Sequence, residues 1–198
     1  DRIGDDPVLD GRRVEVAVMF CDLRGFTAFS ARAEPETVIR VLRQYYDALE
    51  RVVTSHGATL LNFFGDGAMV LVNAPVSLPD PALRAFSMAK DMQMSVQKLL
   101  ADWRALDHHL GFCIWLALGP ATVGRIGSEG RLDYTAIGNV VNLASRLCAS
   151  AEDSEILIDR AVASAVGPGV PLVELEARAL KGFDEPVPVF AVTVGAER

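Results

Sequence analysis

The chain has 198 residues, of which 51% are hydrophobic, and this is enough apolar material for one substantial core. The 26 acidic residues outnumber the 19 basic ones, and the resulting net charge of −7 argues against a general nucleic-acid-binding surface. Cys21, Cys113 and Cys148 are far apart and odd in number. They therefore predict neither a disulfide framework nor a CxxC metal site, and they favour a reducing compartment.

No apolar run approaches the ~18–20 residues that a membrane-spanning helix needs, and no signal peptide is visible. We therefore expect a cytoplasmic location and no membrane segment in this chain. Because the chain begins at Asp1 rather than Met, it is also compatible with the cytosolic part of a larger, membrane-bound protein.

Residues 14–27, VEVAVMFCDLRGFT, form the most informative stretch of the sequence. Its β-branched and apolar first half predicts a buried strand that ends at Asp22. A carboxylate at the exit of a buried strand is costly unless water, a cation or a metal compensates its charge. Gly25 lets the following backbone bend sharply and turn its amides toward an anion. The stretch therefore suits a metal-bridged phosphate.

A helix and a hairpin are predicted next. Pro35 and Glu36 are typical of a helix's first turn, and Gly57 ends that helix. Residues 58–72 predict two apolar strands joined by a tight turn at Gly65 and Asp66. Asp-Gly is common turn chemistry, so turn propensity alone is enough to explain Asp66.

The central part of the chain continues with a helix and strands. Asp80 and Pro81 predict the N-cap and first position of a long helix, and residues 110–127 predict two strands joined around Gly119 and Pro120. A further helix is predicted from Gly138 and Asn139.

Two polar residues of that helix, Asn142 and Arg146, are four positions apart and project from nearly the same side. This pair suits polyphosphate and ribose recognition, although a surface arginine paired with a nearby acid is the ordinary alternative. The remainder predicts a strand at 154–158, a helix at 159–166 and a closing hairpin of 172–180 and 187–194 around Lys181.

Four segments together carry a resemblance to a known family. They are Phe-x-Asp-x-x-Gly-Phe-Thr at residues 20–27, Gly-Asp at 65–66, Asn-Leu-Ala-Ser-Arg at 142–146 and Leu-Lys-Gly-Phe at 180–183. In this order they resemble the class III nucleotidyl cyclases of bacterial type, the adenylate and guanylate cyclases. The resemblance implies an α+β fold with a ferredoxin-like (βαββαβ) palm-type core, helices on one face, and C-terminal additions. It spans residues 14–194, between a linker at 1–13 and a tail at 195–198.

The resemblance also implies a site and a reaction, in which ATP is converted to 3′,5′-cyclic AMP and pyrophosphate. Two divalent ions, Mg²⁺ or Mn²⁺, would be held by Asp22, Asp66 and the backbone carbonyl of Leu23. Asn142 would orient the ribose and Arg146 would stabilise the transition state. The site residues implied for the triphosphate are Arg24, Gly25, Phe26, Thr27 and Lys181, and those implied for the base are Asn62 and Thr135. Each site would be shared between the two chains of a homodimer, the metal carboxylates coming from one chain and Asn142 with Arg146 from the other.

Base choice is where the chain departs from the family pattern. At the position of Asn62 the family's adenylate cyclases carry lysine and its guanylate cyclases typically carry glutamate. Thr135 occupies a position where many bacterial adenylate cyclases have Asp or Thr, so we expect ATP as substrate and GTP as the main competitor. A catalytically silent nucleotide-binding domain is the alternative of another class. A phosphorylated receiver domain and a diguanylate cyclase fit less well, because the chain has a Gly-Asp hairpin and lacks the Gly-Gly-Asp/Glu-Glu-Phe signature.

Overall fold

The computed structural model describes residues 11–128, 131–148 and 151–192. Its strands are β1 (Arg12–Arg24), β2 (Thr59–Phe64), β3 (Gly67–Val72), β4 (Gly111–Ser128), β5 (Arg131–Ile137), β6 (Ile156–Asp159), β7 (Leu172–Arg178) and β8 (Val187–Val192). Its helices are α1 (Phe26–Ser30), α2 (Pro35–Ser55), α3 (Pro81–Ala105), α4 (Asn139–Cys148) and α5 (Arg160–Val166).

Within the described residues the strands form one sheet, in the order β2-β3-β1-β4-β6-β8-β7, with β5 paired to the distal half of β4. The pairing of β4 with β6 is parallel and the other pairings are antiparallel. The first four strands, with α2 and α3, follow the βαββαβ chain order and lie in the sheet order of a ferredoxin-like fold. This confirms the predicted fold class, with the elements from β5 to β8 as the C-terminal additions.

The core helices α2 and α3 lie on one face of the sheet, as predicted, and α4, one of the C-terminal additions, covers the other face. On one face, residues of α2, α3 and α5 share a core with alternate residues of β1, among them Ala17 and Met19. On the other face α4 packs against the intervening residues, among them Val16 and Val18. The physical reason is that every residue from 16 to 19 is apolar and fully buried, so the sheet exposes no polar face there to water.

β4 is one 18-residue strand, so the predicted break at Gly119 and Pro120 is wrong. Proline lacks a backbone N–H and is tolerated in a sheet only where no partner strand needs that donor. On the side of β4 away from β1, β6 pairs with Ile114 to Leu116 and β5 pairs from Thr122 onward. Pro120 lies in the gap between those two partners.

Other predicted boundaries agree with the structure to within a few residues. The helix at 35–55 and the two hairpins are present as predicted, while β1 begins at Arg12, inside the segment assigned to a linker. Asp80 occupies the N-cap of α3, but its side chain makes no capping hydrogen bond. Most of the predicted linker, the last residues of the closing hairpin and the predicted tail at 195–198 lie outside the described residues.

Candidate active site

The two acidic residues predicted to share metal ions are brought together by the β2–β3 hairpin. Asp22 is directly opposite Gly67 of β3 and Cys113 of β4 in the strand register. Residues paired across antiparallel strands point to the same face, and this face is the one that α4 covers. Asp66 lies in the turn immediately before Gly67, and its charge acts on Asp22. The turn therefore places the second carboxylate beside the first.

The electrostatics of Asp22 show that its negative charge is only partly compensated. Burial, and then the charge of Asp66, raise the pKa of Asp22 to about 6. Arg24 opposes this effect, since its Nη1 lies 3.5 Å from Oδ2 of Asp22. A pair of carboxylates with excess negative charge offers the hard oxygen donors that Mg²⁺ and Mn²⁺ prefer.

Beyond the two aspartates, further metal ligands would have to be groups other than His, Cys, Asp and Glu side chains. In the described part of the chain, no group of three or more His, Cys, Asp or Glu residues is placed to hold a metal ion. The pairing of β1 with β3 ends at Asp22, so Leu23 and Arg24 are paired with β4 alone. Backbone oxygens at the exit of β1, water and substrate phosphate are the remaining candidates.

The turn after β1 has the backbone geometry that was predicted from Gly25. Its φ is +79°, a left-handed value that favours glycine, and a Cβ there would lie 3.4 Å from the carbonyl oxygen of His109. α1 then begins at Phe26, which is half-buried, and Thr27 is exposed. The Arg24 side chain does not extend into solvent, because it also donates a hydrogen bond to the carbonyl of Cys148 at the end of α4.

A cleft of about 470 Å³ opens between the ends of β1 and β2, β5 and α4. Four of the predicted site residues line it, namely Asp22, Asn62, Thr135 and Asn142. The cleft also contains residues that the sequence did not single out, including Phe64, Ser145 and Cys148. Of these three, only Ser145 could have been predicted from its neighbours in the sequence, since it lies between Asn142 and Arg146 on the same helix.

A β-bulge places Asn62 in this cleft. The register of β2 against β3 shifts between Leu60, opposite Val70, and Asn62, opposite Met69. Val70 belongs to the core under α2 and α3, whereas Met69 belongs to the core under α4. The extra residue in β2 therefore turns Asn62 toward the α4 face, where strict alternation from Leu60 would have turned it away.

Close packing on β4 positions α4. A Cβ at Gly138 would lie 3.0 Å from the carbonyl oxygen of Pro120 and 3.2 Å from the Cα of Ala121, so the start of the helix lies directly on the strand. Val140, Ala144 and Leu147 are buried, while Asn142 and Arg146 are on the exposed side. The predicted pairing of these two residues on one side of a helix is therefore present.

Arg146 and Lys181 are not among the residues that line the cleft. Both are exposed, and Lys181 lies in the connection between β7 and β8. Its neighbour Leu180 packs against the core under α4, so the connection lies on the same side of the sheet as the cleft. Within a single chain, the structure therefore brings together the residues predicted to hold metal ions, those predicted to read the base, and Asn142, but neither Arg146, predicted to stabilise the transition state, nor Lys181, predicted to bind phosphate.

The chain is similar in sequence to a known family of enzymes. The family described as "Adenylate and Guanylate cyclase catalytic domain" matches residues 10–191. Adenylate cyclase 1 of Rhizobium meliloti (strain 1021) is 35% identical over 140 residues, which are 68% of this chain and 20% of that protein. An adenylate cyclase of Mycobacterium tuberculosis (strain ATCC 25618 / H37Rv) is 33% identical over 133 residues, covering 67% and 29%. The chain thus spans between about a fifth and a third of the curated relatives it matches.

Solved structures of cyclases from both substrate classes superpose on the chain. The adenylyl cyclase CyaB from P. aeruginosa has a TM-score of 0.90 at 33% identity, covering 96% of this chain and 98% of that one. The guanylyl cyclase Cya2 has a TM-score of 0.84 at 34% identity, covering 92% and 93%. None of the helices in the described residues is long and apolar enough to cross a bilayer. The chain belongs to the adenylate and guanylate cyclase catalytic-domain family.

Proposed function

We propose that residues 14–194 form a catalytic domain that converts ATP to 3′,5′-cyclic AMP and pyrophosphate. The observation that carries this proposal is that Asp22 lines a cleft at the end of β1 and that Asp66, in the neighbouring turn, lies close enough for its charge to act on Asp22. The adenylate cyclases of R. meliloti and M. tuberculosis and the adenylyl cyclase CyaB, all at 33–35% identity, support ATP as the substrate. The buried free cysteines suit a reducing cytoplasm as the place where the domain acts.

We further propose that Asp22 and Asp66, with the carbonyl of Leu23, hold two divalent ions, either Mg²⁺ or Mn²⁺. The raised pKa of Asp22 supports this, because its causes are burial and then the charge of Asp66, and a bound cation would offset both. When bound, such ions supply Lewis acidity that lowers the pKa of the 3′-hydroxyl and neutralises charge on the pyrophosphate leaving group.

The side chains of this chain then have separate roles in an in-line attack of the 3′-oxygen on the α-phosphorus. Arg146 stabilises the charge that develops at the α-phosphate, and Asn142 orients the ribose. The amides from Arg24 to Thr27, at the left-handed turn of Gly25, and the ammonium of Lys181 bind the β- and γ-phosphates. Geometric positioning and charge stabilisation are what this reaction requires from a protein, since no covalent intermediate is formed.

Asn62 and Thr135 are proposed to read the base, and both line the cleft. Each can donate and accept hydrogen bonds, so neither side chain excludes guanine. GTP is therefore the second candidate substrate, and the likeness to the guanylyl cyclase Cya2 at 34% identity supports it. The ratio of cyclic AMP to cyclic GMP formed by the wild type, compared with Asn62→Lys, measures the contribution of this position.

We propose a homodimer in which Asn142 and Arg146 of one chain act beside Asp22 and Asp66 of the other. Arg146 lies outside its own chain's cleft, which supports this arrangement, whereas Asn142 lines the cleft of its own chain. Two apolar side chains on the cleft face, Phe64 and Ile137, are 58% and 57% exposed, as expected for a surface that a second copy covers. Mixing Asp22→Ala and Arg146→Ala chains tests this arrangement. Random reassortment would restore one intact site in half of the dimers, or about a quarter of wild-type activity. No restored activity in protein shown to exchange subunits would rule out shared sites.

The deciding experiment is turnover of Mn-ATP and Mn-GTP side by side, with Asp22→Ala as the blank. Cyclic AMP that is formed by the wild type and lost in Asp22→Ala would support the proposal. The absence of any cyclic product from either nucleotide, in protein shown by light scattering to be dimeric, would favour instead a silent domain that binds nucleotide without turnover. Dimerisation must be measured in the same sample, because a composite site is incomplete in a monomer.

A further inference from the structure

The turn that carries Asp66 is held from α2 by Tyr46. The Tyr46 hydroxyl donates a hydrogen bond to the carbonyl of Gly65, the residue before Asp66. The Tyr46 ring also stacks on Phe63 of β2, with ring centroids 3.8 Å apart and planes inclined by 27°. One side chain therefore contacts both the strand that leads into the turn and the backbone of the turn itself.

Packing alone does not hold this turn in place. Phe64 and Gly65 are exposed, and a Cβ at Gly65 would meet no atom within 4 Å among the described residues. The two carboxylates repel each other, and this repulsion favours outward movement of Asp66 on the hairpin tip. A hydrogen bond from a helix to the turn opposes that movement.

Tyr46 itself is well placed for such a role. It lies on α2, whose neighbouring residues Tyr45 and Leu49 are fully buried in the core, so its backbone belongs to a rigid element. Burial, and then the charge of Asp66, raise the pKa of the Tyr46 phenol, so the phenol remains a neutral hydrogen-bond donor. Sites held by residues on packed helices keep their geometry better than sites held by loops alone.

We propose that Tyr46 is a positioning residue, whose hydroxyl fixes the Gly65 carbonyl and thereby holds Asp66 beside Asp22 in readiness for divalent ions. This inference rests on the proposed metal-binding role of the two carboxylates. Tyr46 touches neither substrate nor metal in this scheme. Because the hydrogen bond already restricts the turn before a metal ion binds, less conformational entropy is lost on binding.

The test compares Tyr46→Phe with Tyr134→Phe. The first variant keeps the ring that stacks on Phe63 and removes only the hydroxyl. The second removes a phenolic hydroxyl that is buried and has no hydrogen-bond partner in the described part of the chain, so it reports the general effect of such a deletion. Hydrogen exchange of the peptide 61–70 without metal reports the turn, and Mn²⁺ titration followed by electron paramagnetic resonance reports the carboxylates.

In Tyr46→Phe we expect exchange in the turn to become faster, and the Mn²⁺ dissociation constant to rise, each by roughly threefold to tenfold, the size expected for one hydrogen bond. Tyr134→Phe should change neither by more than about twofold. Unchanged exchange, or faster exchange with unchanged Mn²⁺ affinity, would overturn the role of Tyr46. Asp66→Ala separates the two proposals: if it binds Mn²⁺ as tightly as the wild type, the metal site fails; if it loses Mn²⁺ while Tyr46→Phe does not, only the role of Tyr46 fails.

Discussion

Replacing Asp22 by asparagine should stabilise the metal-free protein while abolishing its proposed activity. The folded state raises the pKa of Asp22 from 3.8 to about 6, first through burial and then through the charge of Asp66. The folded chain thus binds this proton more tightly than the unfolded chain does. The resulting stability is complete below pH 3.8 and is lost as the pH rises through about 6.

The size of this effect follows from the same two pKa values. The interval between 3.8 and about 6 corresponds to about 3 kcal/mol at a pH above both. The Asp22 side chain is 28% exposed, and solvent screening reduces the expected cost of its charge to about 1–2 kcal/mol. Asp22→Asn removes the charge from both states, so at pH 7.5 its free energy of unfolding should exceed that of the wild type by this amount.

Urea unfolding at one protein concentration, with a chelator present, measures the difference at pH 7.5 and at pH 4. The gain should shrink toward zero at pH 4, where the folded wild type is itself protonated. Saturating Mn²⁺ should then reverse the order, since an ion at about 100 times its dissociation constant adds about 2.7 kcal/mol to the wild type alone. Asp184→Asn, at an exposed carboxylate in the β7–β8 connection, is the matched control and should change little. A metal-free Asp22→Asn protein that is less stable than the wild type at pH 7.5 would refute the reasoning, because the contact with Arg24 would then outweigh burial and repulsion.

Three further predictions concern packing, capping and thiol reactivity. Gly138→Ala should lower the free energy of unfolding by about 1–2 kcal/mol in urea, because the new methyl group meets the backbone of β4; Gly169→Ala, with open space around it, is the control. Asp159 is buried at the N-cap of α5, and burial raises its pKa to about 6, so its charge destabilises the folded protein as the pH rises. In urea unfolding, the free energy of unfolding of Asp159→Asn should therefore exceed that of the wild type by an amount that grows from pH 4 to pH 7 and reaches about 1–3 kcal/mol. All three cysteines are buried and burial raises the pKa of Cys21 to about 12, so an aromatic disulfide reagent should label the native protein at least about tenfold more slowly than the urea-unfolded protein.

Each of these has an outcome that would count against it. Equal stability of the Gly138→Ala and Gly169→Ala proteins would show that α4 moves away from β4 without cost. An Asp159→Asn protein that loses stability at pH 7 would show that the bonds from the backbone amides of Val162 and Leu118 favour the charged carboxylate more than burial disfavours it. Fast labelling of any thiol in the native protein would contradict the burial of that cysteine.

Much of the local structure could be predicted from the sequence, because its causes lie within a few residues. The hairpin at Gly65 and Asp66, the start of α2 at Pro35 and the start of α4 after Gly138 each depend on backbone preferences of the residues at that point. The strand through Asp22, predicted to end there but continuing to Arg24, and the left-handed Gly25 after it are of the same kind. The order of the motifs along the chain was sufficient to indicate the family, and with it the fold.

The break expected in β4 shows why local signals can fail. Gly119 and Pro120 are typical of a turn, yet the whole length of β1 pairs with residues 111–123 of β4 and keeps β4 continuous through them. The cost of a proline in a sheet depends on whether a neighbouring strand requires its missing N–H. On the side of β4 away from β1, no strand among the described residues pairs with Pro120, because β6 pairs only from Ile114 to Leu116 and β5 only from Thr122 onward. Where β6 pairs is decided by long-range contacts.

The chemical groups of this protein can be read from its sequence: a carboxylate near the end of a strand and another in a hairpin turn, an Asn and an Arg on one helix side, and polar residues at positions 62 and 135. Which of them share a cleft depends on the tertiary structure. The bulge in β2 turns Asn62 toward α4, α4 lies close on β4 through Gly138, and Arg146 lies outside its own chain's cleft. Tyr46, for which the sequence has no signal, reaches the turn of Asp66 from a different element. The direction of a side chain depends on strand register and helix packing, which are properties of the assembled sheet rather than of any short segment.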